Sequence, residues 1–231
     1  MDSPLAHIDF ATLFASRIHE IKNLLFLLIG SLDETIDEYG HVKNEATLSS
    51  KLSLLKFNGN RINDQLVQLL SLYRMAQGSY PIDVEYHAVN EFMEDMVLET
   101  KPLLASRELS LDTTTEDDLC WFFDRGIADS IIANAIHNAM PHAKSAIRLS
   151  AVQEGDFLVI RVEDDGPGFP EKLLESNEFL RDSVISQGNT GLGLFFSATM
   201  AALHGNKENR GSIKLANGGS FGGAVFSLYL P

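Results

Sequence analysis

Two long stretches in the first third of the chain repeat apolar residues at alternating spacings of three and four positions. A sustained heptad of this kind is typical of amphipathic helices that pack along a shared apolar seam. The pattern predicts one helix over residues 7–39 and a second over residues 45–76. Gly40 suits the left-handed position after the first helix, and Asn44 can cap the start of the second. The N-terminal region is therefore predicted to be a helical hairpin.

A single hairpin leaves part of its apolar surface uncovered, because two helices shield only one side of each other. We therefore predict a dimer in which two hairpins form a four-helix bundle, with an ordinary globular helix pair as the alternative. If Ile18 and Leu25 lie in the seam, His19 falls on the outward side of the first helix, with Glu20 next to it. An exposed imidazole beside a carboxylate is a candidate for chemistry.

The pattern changes at Gln77–Pro81, where the helical periodicity stops and glycine and proline interrupt the chain. The predicted helices beyond it cover residues 89–106, 125–140 and 193–204, and the predicted strands cover 109–113, 119–123, 146–152, 157–163, 212–216 and 224–230. This order predicts an α+β chain of two domains. Residues 1–79 would form the helical hairpin, and residues 80–231 an α/β sandwich with helices on one face of a sheet.

The net charge of −14 is concentrated in the second predicted domain. Residues 1–79 hold 9 acidic and 7 basic residues, whereas residues 80–231 hold 23 acidic and 11 basic residues. The sequence has no basic stripe for nucleic acid and no polybasic anchor for a membrane. A phosphate ligand in this acidic half would have to be held through a metal ion and backbone N–H groups.

Several features bear on the cellular compartment. The longest apolar run, residues 24–29, is too short to span a bilayer, and no signal-peptide pattern opens the chain. Cys120 is the single cysteine of the sequence, so no internal disulfide can form. These features predict a cytoplasmic protein without a membrane segment.

Polar side chains that can carry chemistry occur in short motifs of the second half. Asn134 and Asn138 lie four residues apart and share one face of a predicted helix, although a solvated helix face would show the same pattern. Asp164 follows an apolar strand, and Gly166 and Gly168 turn the chain sharply after it. A carboxylate there can accept a hydrogen bond from an exocyclic amine such as that of adenine, and a surface hairpin turn is the alternative.

Two further motifs are rich in glycine. Residues 189–194 read Asn-Thr-Gly-Leu-Gly-Leu at the start of an apolar helix, where free N–H groups and the positive end of a helix dipole can face phosphate. Residues 218–223 read Gly-Gly-Ser-Phe-Gly-Gly before the last strand, and a plain hairpin loop would look the same. Each motif alone is a weak signal, so only their combination and order are informative.

In order and spacing, the four motifs resemble the N, G1, G2 and G3 boxes of the GHKL ATPase fold in the form used by bacterial histidine kinases. Residues 19–23, His-Glu-Ile-Lys-Asn, resemble the phosphoacceptor motif of the same kinases, with Leu24 where the nitrogen-regulator type has proline. Over residues 7–231 the chain is thus similar to a two-component histidine kinase core without a sensor domain. The resemblance implies a homodimeric signal-transduction phosphoprotein that uses ATP and Mg²⁺.

The resemblance also implies roles for residues of the hairpin. His19 would be the phosphoacceptor and Glu20 the base that takes up its proton. Asn23 occupies the position that in relatives orients water for a response-regulator phosphatase activity.

In the second domain, the resemblance implies that Asn138 binds Mg²⁺ and that Asn134 orders the triphosphate. The segment 169–189 would be a lid over the nucleotide. The remaining ATP-binding residues would be Asp164, which reads the adenine amine, and Gly166, Gly168, Thr190, Gly191, Leu192 and Gly193.

The implied activity is transfer of the γ-phosphoryl group of Mg-ATP to His19, and from there to an aspartate of a response-regulator receiver domain. The input would come from a partner such as a separate sensor protein, or be absent. The alternative is an ATP-independent histidine phosphotransfer protein with a degenerate GHKL domain, because residues 140–142 lack a lysine that relatives often carry and the lid segment is short. A serine kinase of the anti-sigma type is a third hypothesis, and it would need neither the hairpin nor His19.

Phe26 lies one heptad after His19 and is predicted on the same outward face, with Leu27 beside it. Exposed apolar side chains at this place indicate a docking surface for a receiver domain or for the catalytic domain, and burial by local packing is the alternative.

Overall fold

The structure is a computed structural model, and it describes residues 18, 21–32, 55, 59, 62–63, 65–75, 80–105, 107–116, 118–175, 190–206 and 208–231. The chain divides into two compact units, Met1–Tyr80 and Pro81–Pro231. Within the described residues, no helix combines the length and the apolar character needed to cross a membrane.

The first unit is helical where it is described. Residues 21–32 form α1 and residues 65–75 form α2, and both lie inside the helices predicted from the heptads. Leu24 on α1 and Leu72 on α2 are buried. The loop predicted at residues 40–44 lies outside the described residues, so the hairpin connection itself stays a prediction.

The heptad residues of α1 are not all buried within one chain. Ile18, Leu25 and Leu32, which the sequence pattern places in the seam, are 59%, 42% and 45% exposed. They recur every seven residues, so they lie along one side of the helix. Where the first unit is described, an apolar row of Ile18 and, on α1, Leu25 and Leu32 is therefore exposed.

The second unit alternates strands and helices. Its elements are, in order, β1 (Glu85–Ala88), α3 (Val89–Ala105), β2 (Ser110–Thr115), β3 (Cys120–Phe123), α4 (Arg125–Ala139), β4 (Ala146–Glu154), β5 (Phe157–Asp164), α5 (Glu171–Glu175), α6 (Thr190–Ala201), β6 (Ser212–Gly218) and β7 (Gly223–Leu230). The strand β1 was not among the predicted elements. Its four residues carry no run of alternating apolar side chains, and it forms by antiparallel pairing with β3.

Five strands form one mixed sheet in the order β2-β4-β5-β7-β6. Only β2 and β4 are parallel within this sheet, and the other neighbours pair antiparallel. The central strands β5 and β7 are almost continuously buried, because both carry a neighbour on each edge and helices cover them. The predicted α/β sandwich is confirmed.

The core lies between this sheet and the helices α3, α4 and α6. The helices contribute large side chains that are fully buried, and the strands oppose them with aliphatic residues, each worth about 1.5–3 kcal/mol of hydrophobic free energy. These residues are Phe92, Ile131, Ile132, Ile136 and Phe196 on the helices and Ile147, Leu149, Leu158, Ile160 and Leu228 on the strands. The packing places α4 over β5 and β7, and α6 against α4, β6 and β7.

Asp124 fixes the start of α4. Its Oδ1 accepts a hydrogen bond from the Ile127 N–H at 3.0 Å, as expected of a helix N-cap, and its Oδ2 accepts one from the Asp83 N–H at 2.8 Å. The Asp124 N–H in turn donates to Nε2 of the buried His204 at 3.0 Å. Burial lowers the pKa of His204, which keeps the imidazole neutral and able to accept this bond.

Candidate functional site

The centre of the candidate site is the carboxylate at the end of β5. Asp164 is only 4% exposed, and its Oδ1 accepts hydrogen bonds from the Gly166 N–H at 2.8 Å and the Ala224 N–H at 3.3 Å. Among the described residues, both bonds to this carboxylate fall on Oδ1. A buried carboxylate held by one oxygen presents the other in a fixed direction, which is the geometry needed to accept a bond from a ligand.

Two glycines allow the backbone to close around Asp164. A Cβ at position 166 would lie 2.5 Å from the carbonyl oxygen of His142, and a Cβ at position 223 would overlap the carbonyl oxygen of Asp164. Neither position can carry a side chain without moving backbone. The turn after β5, the segment after α4 and the start of β7 therefore meet at one place.

Asp165 ties the segment after α4 to the same turn. Its carboxylate accepts hydrogen bonds from the Ser145 hydroxyl at 2.6 Å, from the Ser145 N–H at 3.0 Å and from the Lys144 N–H at 2.7 Å. The hydrogen bond from the Ser145 hydroxyl, assisted by these backbone N–H groups, holds the pKa of the Asp165 carboxyl well below its ordinary value of 3.8. These hydrogen bonds keep the segment that follows α4 next to the turn after Asp164.

We expect the Asp165→Asn exchange to lower the free energy of unfolding by about 1 kcal/mol at neutral pH, a value reduced because the site is partly exposed. A carboxyl whose pKa is lowered by folding stabilises the protein above its ordinary pKa of 3.8 and loses that contribution as the pH falls. The difference from wild type should therefore shrink as denaturant unfolding, followed by circular dichroism, is repeated from about pH 7 towards pH 2. Asp156→Asn, in the turn between β4 and β5, is the matched control, and a difference that stays constant with pH would contradict the role of the ionised group.

The two asparagines of α4 face the candidate site from the helix side. Asn134 Nδ2 donates to the Ser197 hydroxyl on α6 at 3.2 Å, and a Cβ at position 193 would lie 2.9 Å from Asn134 Oδ1. Asn138, one turn later, has a buried Nδ2 for which the described residues provide no hydrogen-bond partner. Leaving a buried amide nitrogen unpaired costs roughly 1–3 kcal/mol, so this amide is suited to a ligand.

The helix α6 begins at Thr190, and its first turn contains Gly191 and Leu192. The first N–H groups of a helix have no partner within the helix and can face an anion. Gly193 brings this end of α6 against Asn134. Contacts thus join Gly166 to Asp164 at the end of β5, and Gly193 at the start of α6 to Asn134 on α4. Residues 176–189 of the predicted lid lie outside the described residues.

The described residues contain no cluster of three or more His, Cys, Asp or Glu side chains that could hold a metal ion. Mg²⁺ commonly keeps several waters and is bound through one or two protein oxygens together with the phosphates of its substrate. Asn138 could supply such an oxygen through Oδ1, whereas its unpaired Nδ2 is a donor that suits a phosphate oxygen.

The predicted phosphoacceptor pair belongs to the other unit. His19 and Glu20 lie outside the described residues, so their placement stays a prediction. Asn23 is exposed on α1. Phe26 is also on α1 and is 78% exposed, which argues against burial by local packing within one chain.

Sequence reasoning did not identify several residues that shape the site. Ser197, the partner of Asn134, is buried in an apolar helix, where a lone serine was a weak signal. Glu163 is 6% exposed, and its Oε1 accepts a hydrogen bond from the Ser220 N–H at 2.9 Å. Asp124 could have been found, because an aspartate directly before a predicted helix is a typical N-cap.

Comparison with known proteins gives consistent matches. Residues 124–231 match the family described as histidine kinase-, DNA gyrase B- and HSP90-like ATPase. The signal transduction histidine-protein kinase AfsQ2 of Streptomyces coelicolor is 41% identical over 230 residues, which cover 94% of this chain and 41% of that protein. The sensor protein CitS of Halalkalibacterium halodurans is 26% identical over 229 residues, covering 96% of this chain and 37% of that protein. The chain thus spans about two fifths of the length of these relatives.

Solved structures show the same fold. The histidine kinase AdeS of Acinetobacter baumannii matches with a TM-score of 0.63 and 17% identity over 92% of this chain and 96% of that chain. Histidine kinase ThkA, solved in complex with the response regulator protein TrrA, matches with a TM-score of 0.58 and 18% identity over 95% of this chain and 60% of that chain.

Proposed function

Because the chain carries a histidine kinase catalytic core, with residues 124–231 in the histidine kinase-, DNA gyrase B- and HSP90-like ATPase family, we propose that it phosphorylates His19 from Mg-ATP. The phosphoryl group then passes to an aspartate of a response-regulator receiver domain. A receiver partner is supported by the likeness to ThkA, which was solved with a response regulator. The proposal is supported by a buried, oriented carboxylate at the end of β5 together with two asparagines on α4, of which Asn138 has an unpaired amide nitrogen and Asn134 lies against the first turn of α6.

Each part of that arrangement suits one part of a nucleotide. The fixed oxygen of Asp164 accepts the exocyclic amine of adenine, and Gly166 and Gly168 shape the turn that holds this carboxylate. Asn138 supplies an oxygen to Mg²⁺, while Asn134 and the backbone of residues 190–193 face the phosphates. Bound Mg-ATP supplies the γ-phosphoryl group and neutralises phosphate charge in a unit that is itself acidic. Neutral amides are suited to this place, because the triphosphate already brings negative charge.

On the hairpin, His19 is the nucleophile. An unperturbed imidazole with a pKa near 6.5 is roughly three-quarters neutral at pH 7, so one ring nitrogen can attack the γ-phosphorus as the bond to ADP breaks. Glu20 holds the other ring nitrogen and takes up its proton. Asn23, exposed one turn later, would orient water in the reverse, phosphatase direction.

We further propose that the chain acts as a homodimer. The exposed row of Ile18, Leu25 and Leu32 on α1 is matched on α2 by Leu66, Leu70 and Tyr73, each 49% exposed. The α2 residues are spaced four and three apart and therefore lie on one side of that helix. A second copy that covers both rows would complete the four-helix bundle.

The direct test is incubation of the purified chain with Mg²⁺ and ATP labelled in the γ-phosphate. Phosphohistidine gives a label that is lost in acid and kept in base. An acid-stable label would indicate a serine kinase instead, and absence of nucleotide binding by calorimetry would favour the ATP-independent phosphotransfer protein.

A substitution at Phe26 can test the docking surface that is predicted on α1. We expect Phe26→Asp to slow phosphoryl transfer to a receiver domain by about tenfold, because a charge replaces an apolar contact of about 1.4 kcal/mol. Light scattering and circular dichroism should show an unchanged folded dimer, since the side chain is 78% exposed. Phe122→Asp changes a similarly exposed aromatic residue of the second unit and serves as the control. Transfer at the wild-type rate in Phe26→Asp would rule out docking at this residue.

A further inference from the structure

We propose that Asn217 is a positioning residue of the nucleotide site: its side-chain amide holds the backbone of Phe169, directly after the Gly166–Gly168 turn, against the end of β6. The inference rests on the proposed function, because it concerns how the turn that presents Asp164 is kept in shape. No motif in the sequence indicated a role for this asparagine.

The contact is a paired one. Asn217 Oδ1 accepts a hydrogen bond from the Phe169 N–H at 2.6 Å, and Asn217 Nδ2 donates to the Phe169 carbonyl oxygen at 2.9 Å. One amide that both accepts from and donates to a single residue reproduces the pair of bonds that two antiparallel strands exchange. A neutral amide is required, since a carboxylate only accepts and an ammonium only donates.

The conformation of Gly168 and its lack of a side chain allow this contact. Its φ of +84° lies in the left-handed region, and a Cβ at this position would lie 2.7 Å from Cγ of Asn217. A side chain at 168 would therefore be strained and would also displace the Asn217 amide. Glycine at this position serves the approach of Asn217 as well as the turn itself.

The turn consequently has an anchor at each end. At its start, the Gly166 N–H is bound by Asp164 Oδ1, and at its end, Phe169 is bound by Asn217. Asn217 is near the end of β6, where its backbone lies opposite Ala224, and the Ala224 N–H is itself bound by Asp164. The hydrogen bonds of Asp164 and Asn217 thus connect the turn with the first residues of β7. Loss of the bonds to Phe169 should therefore make the position of the Asp164 carboxylate less fixed.

The contact is separable from the core of the protein. Asn217 is exposed, and the hydrogen bonds that it makes lie at the surface of the unit. Losing them should change the conformation of one turn without unfolding the sheet. The expected signature is weaker nucleotide binding at nearly unchanged thermal stability.

The test compares Asn217→Asp with Asn206→Asp in the full chain. Among the described residues, the side chain of Asn206 only accepts, from the N–H groups of Glu208 at 3.1 Å and Asn209 at 2.9 Å, so a carboxylate keeps both of its bonds. At position 217 the same exchange replaces a donor by an acceptor that faces the Phe169 carbonyl oxygen. By isothermal titration calorimetry with Mg-ADP at about pH 8, we expect Asn217→Asp to bind about tenfold more weakly than wild type and Asn206→Asp to bind within about twofold of it.

A change of pH provides a readout that a generally destabilised protein would not show. A protonated carboxyl regains a donor, so the ratio of the Asn217→Asp to the wild-type dissociation constant should fall as the pH is lowered towards about 5. The ratio for Asn206→Asp should stay flat. In Asn217→Ala, which loses both bonds, the Phe169 amide should exchange its hydrogen faster than in wild type.

The outcomes separate the inference from the proposed function. Wild-type chain that does not bind Mg-ADP overturns the proposed function. Two results overturn only the role of Asn217, provided that the wild-type chain binds Mg-ADP. In the first, Asn217→Asp binds as tightly as wild type. In the second, Asn206→Asp is weakened as much as Asn217→Asp. The role of Asn217 is also overturned if Asn217→Asp loses affinity tenfold and the loss stays the same when the pH is lowered.

Discussion

The Asp164→Asn variant is expected to bind ATP about 100-fold more weakly than wild type, a loss of about 2.7 kcal/mol. Asparagine has the same shape as aspartate, and its Oδ1 can still accept the bonds from the Gly166 and Ala224 N–H groups. The second terminal atom becomes an amide nitrogen, which donates instead of accepting. It would then face the exocyclic amine of adenine, and two donors in a buried site leave both unpaired.

Calorimetric titration with Mg-ADP measures this loss, and circular dichroism checks that the variant is folded. Asp156→Asn removes the same charge from the turn between β4 and β5, at the other end of β5, and is expected to bind like wild type. The assignment of Asp164 to adenine would be wrong if the asparagine variant kept its affinity. A GTP titration adds a second check, because adenine selectivity should decrease in the variant.

The second large effect is expected at His19. We predict that His19→Gln accepts less than about 1% of the wild-type label from γ-labelled ATP, because glutamine has no nucleophilic ring nitrogen. Nucleotide affinity should stay within about twofold of wild type, since the residues proposed to bind ATP belong to the second unit. In the wild type, the rate of labelling should rise between about pH 6 and pH 8 as the imidazole loses its proton.

Autoradiography after denaturing electrophoresis measures the label, and treatment of the gel with acid and with base identifies its chemistry. His41→Gln makes the same exchange in the loop predicted at residues 40–44 and should be labelled normally. Acid-labile label that persists in His19→Gln would place the phosphoacceptor elsewhere in the chain.

Much of the fold could be predicted from local pattern. The strands β5 and β7 are largely apolar segments bounded by turn residues, and the helix α4 follows an aspartate cap, so each was recognisable from its own residues. The start of α6 was predicted three residues too late. Glycine at positions 191 and 193 disfavours a helix in isolation, and the helix forms because its apolar residues are buried on all sides.

The candidate site was predictable as a set of motifs but not as a set of contacts. Spacing along one helix places Asn134 and Asn138 on a shared face. It does not show that Gly223 packs against Asp164, since these residues are 59 positions apart and meet only through the pairing of β5 with β7. The buried Glu163 and the amide of Asn217 were missed for the same reason, because their partners are backbone groups of distant turns.

Neighbouring residues of a strand face opposite sides of its sheet, and the end of β5 carries two acidic residues in succession. Asp164 is directed to the helix-covered side, while Glu163, on the reverse side, binds the Ser220 N–H in the loop between β6 and β7. A slip of β5 by a single residue would move Glu163 into the place of Asp164 and Val162 into the place of Glu163, putting a longer carboxylate where adenine is proposed to bind and an apolar side chain where the loop is tethered. The alignment of β5 with β4 and β7 therefore decides which acid lies at the proposed nucleotide site, so insertions or deletions within these three strands should be tolerated far less well than substitutions.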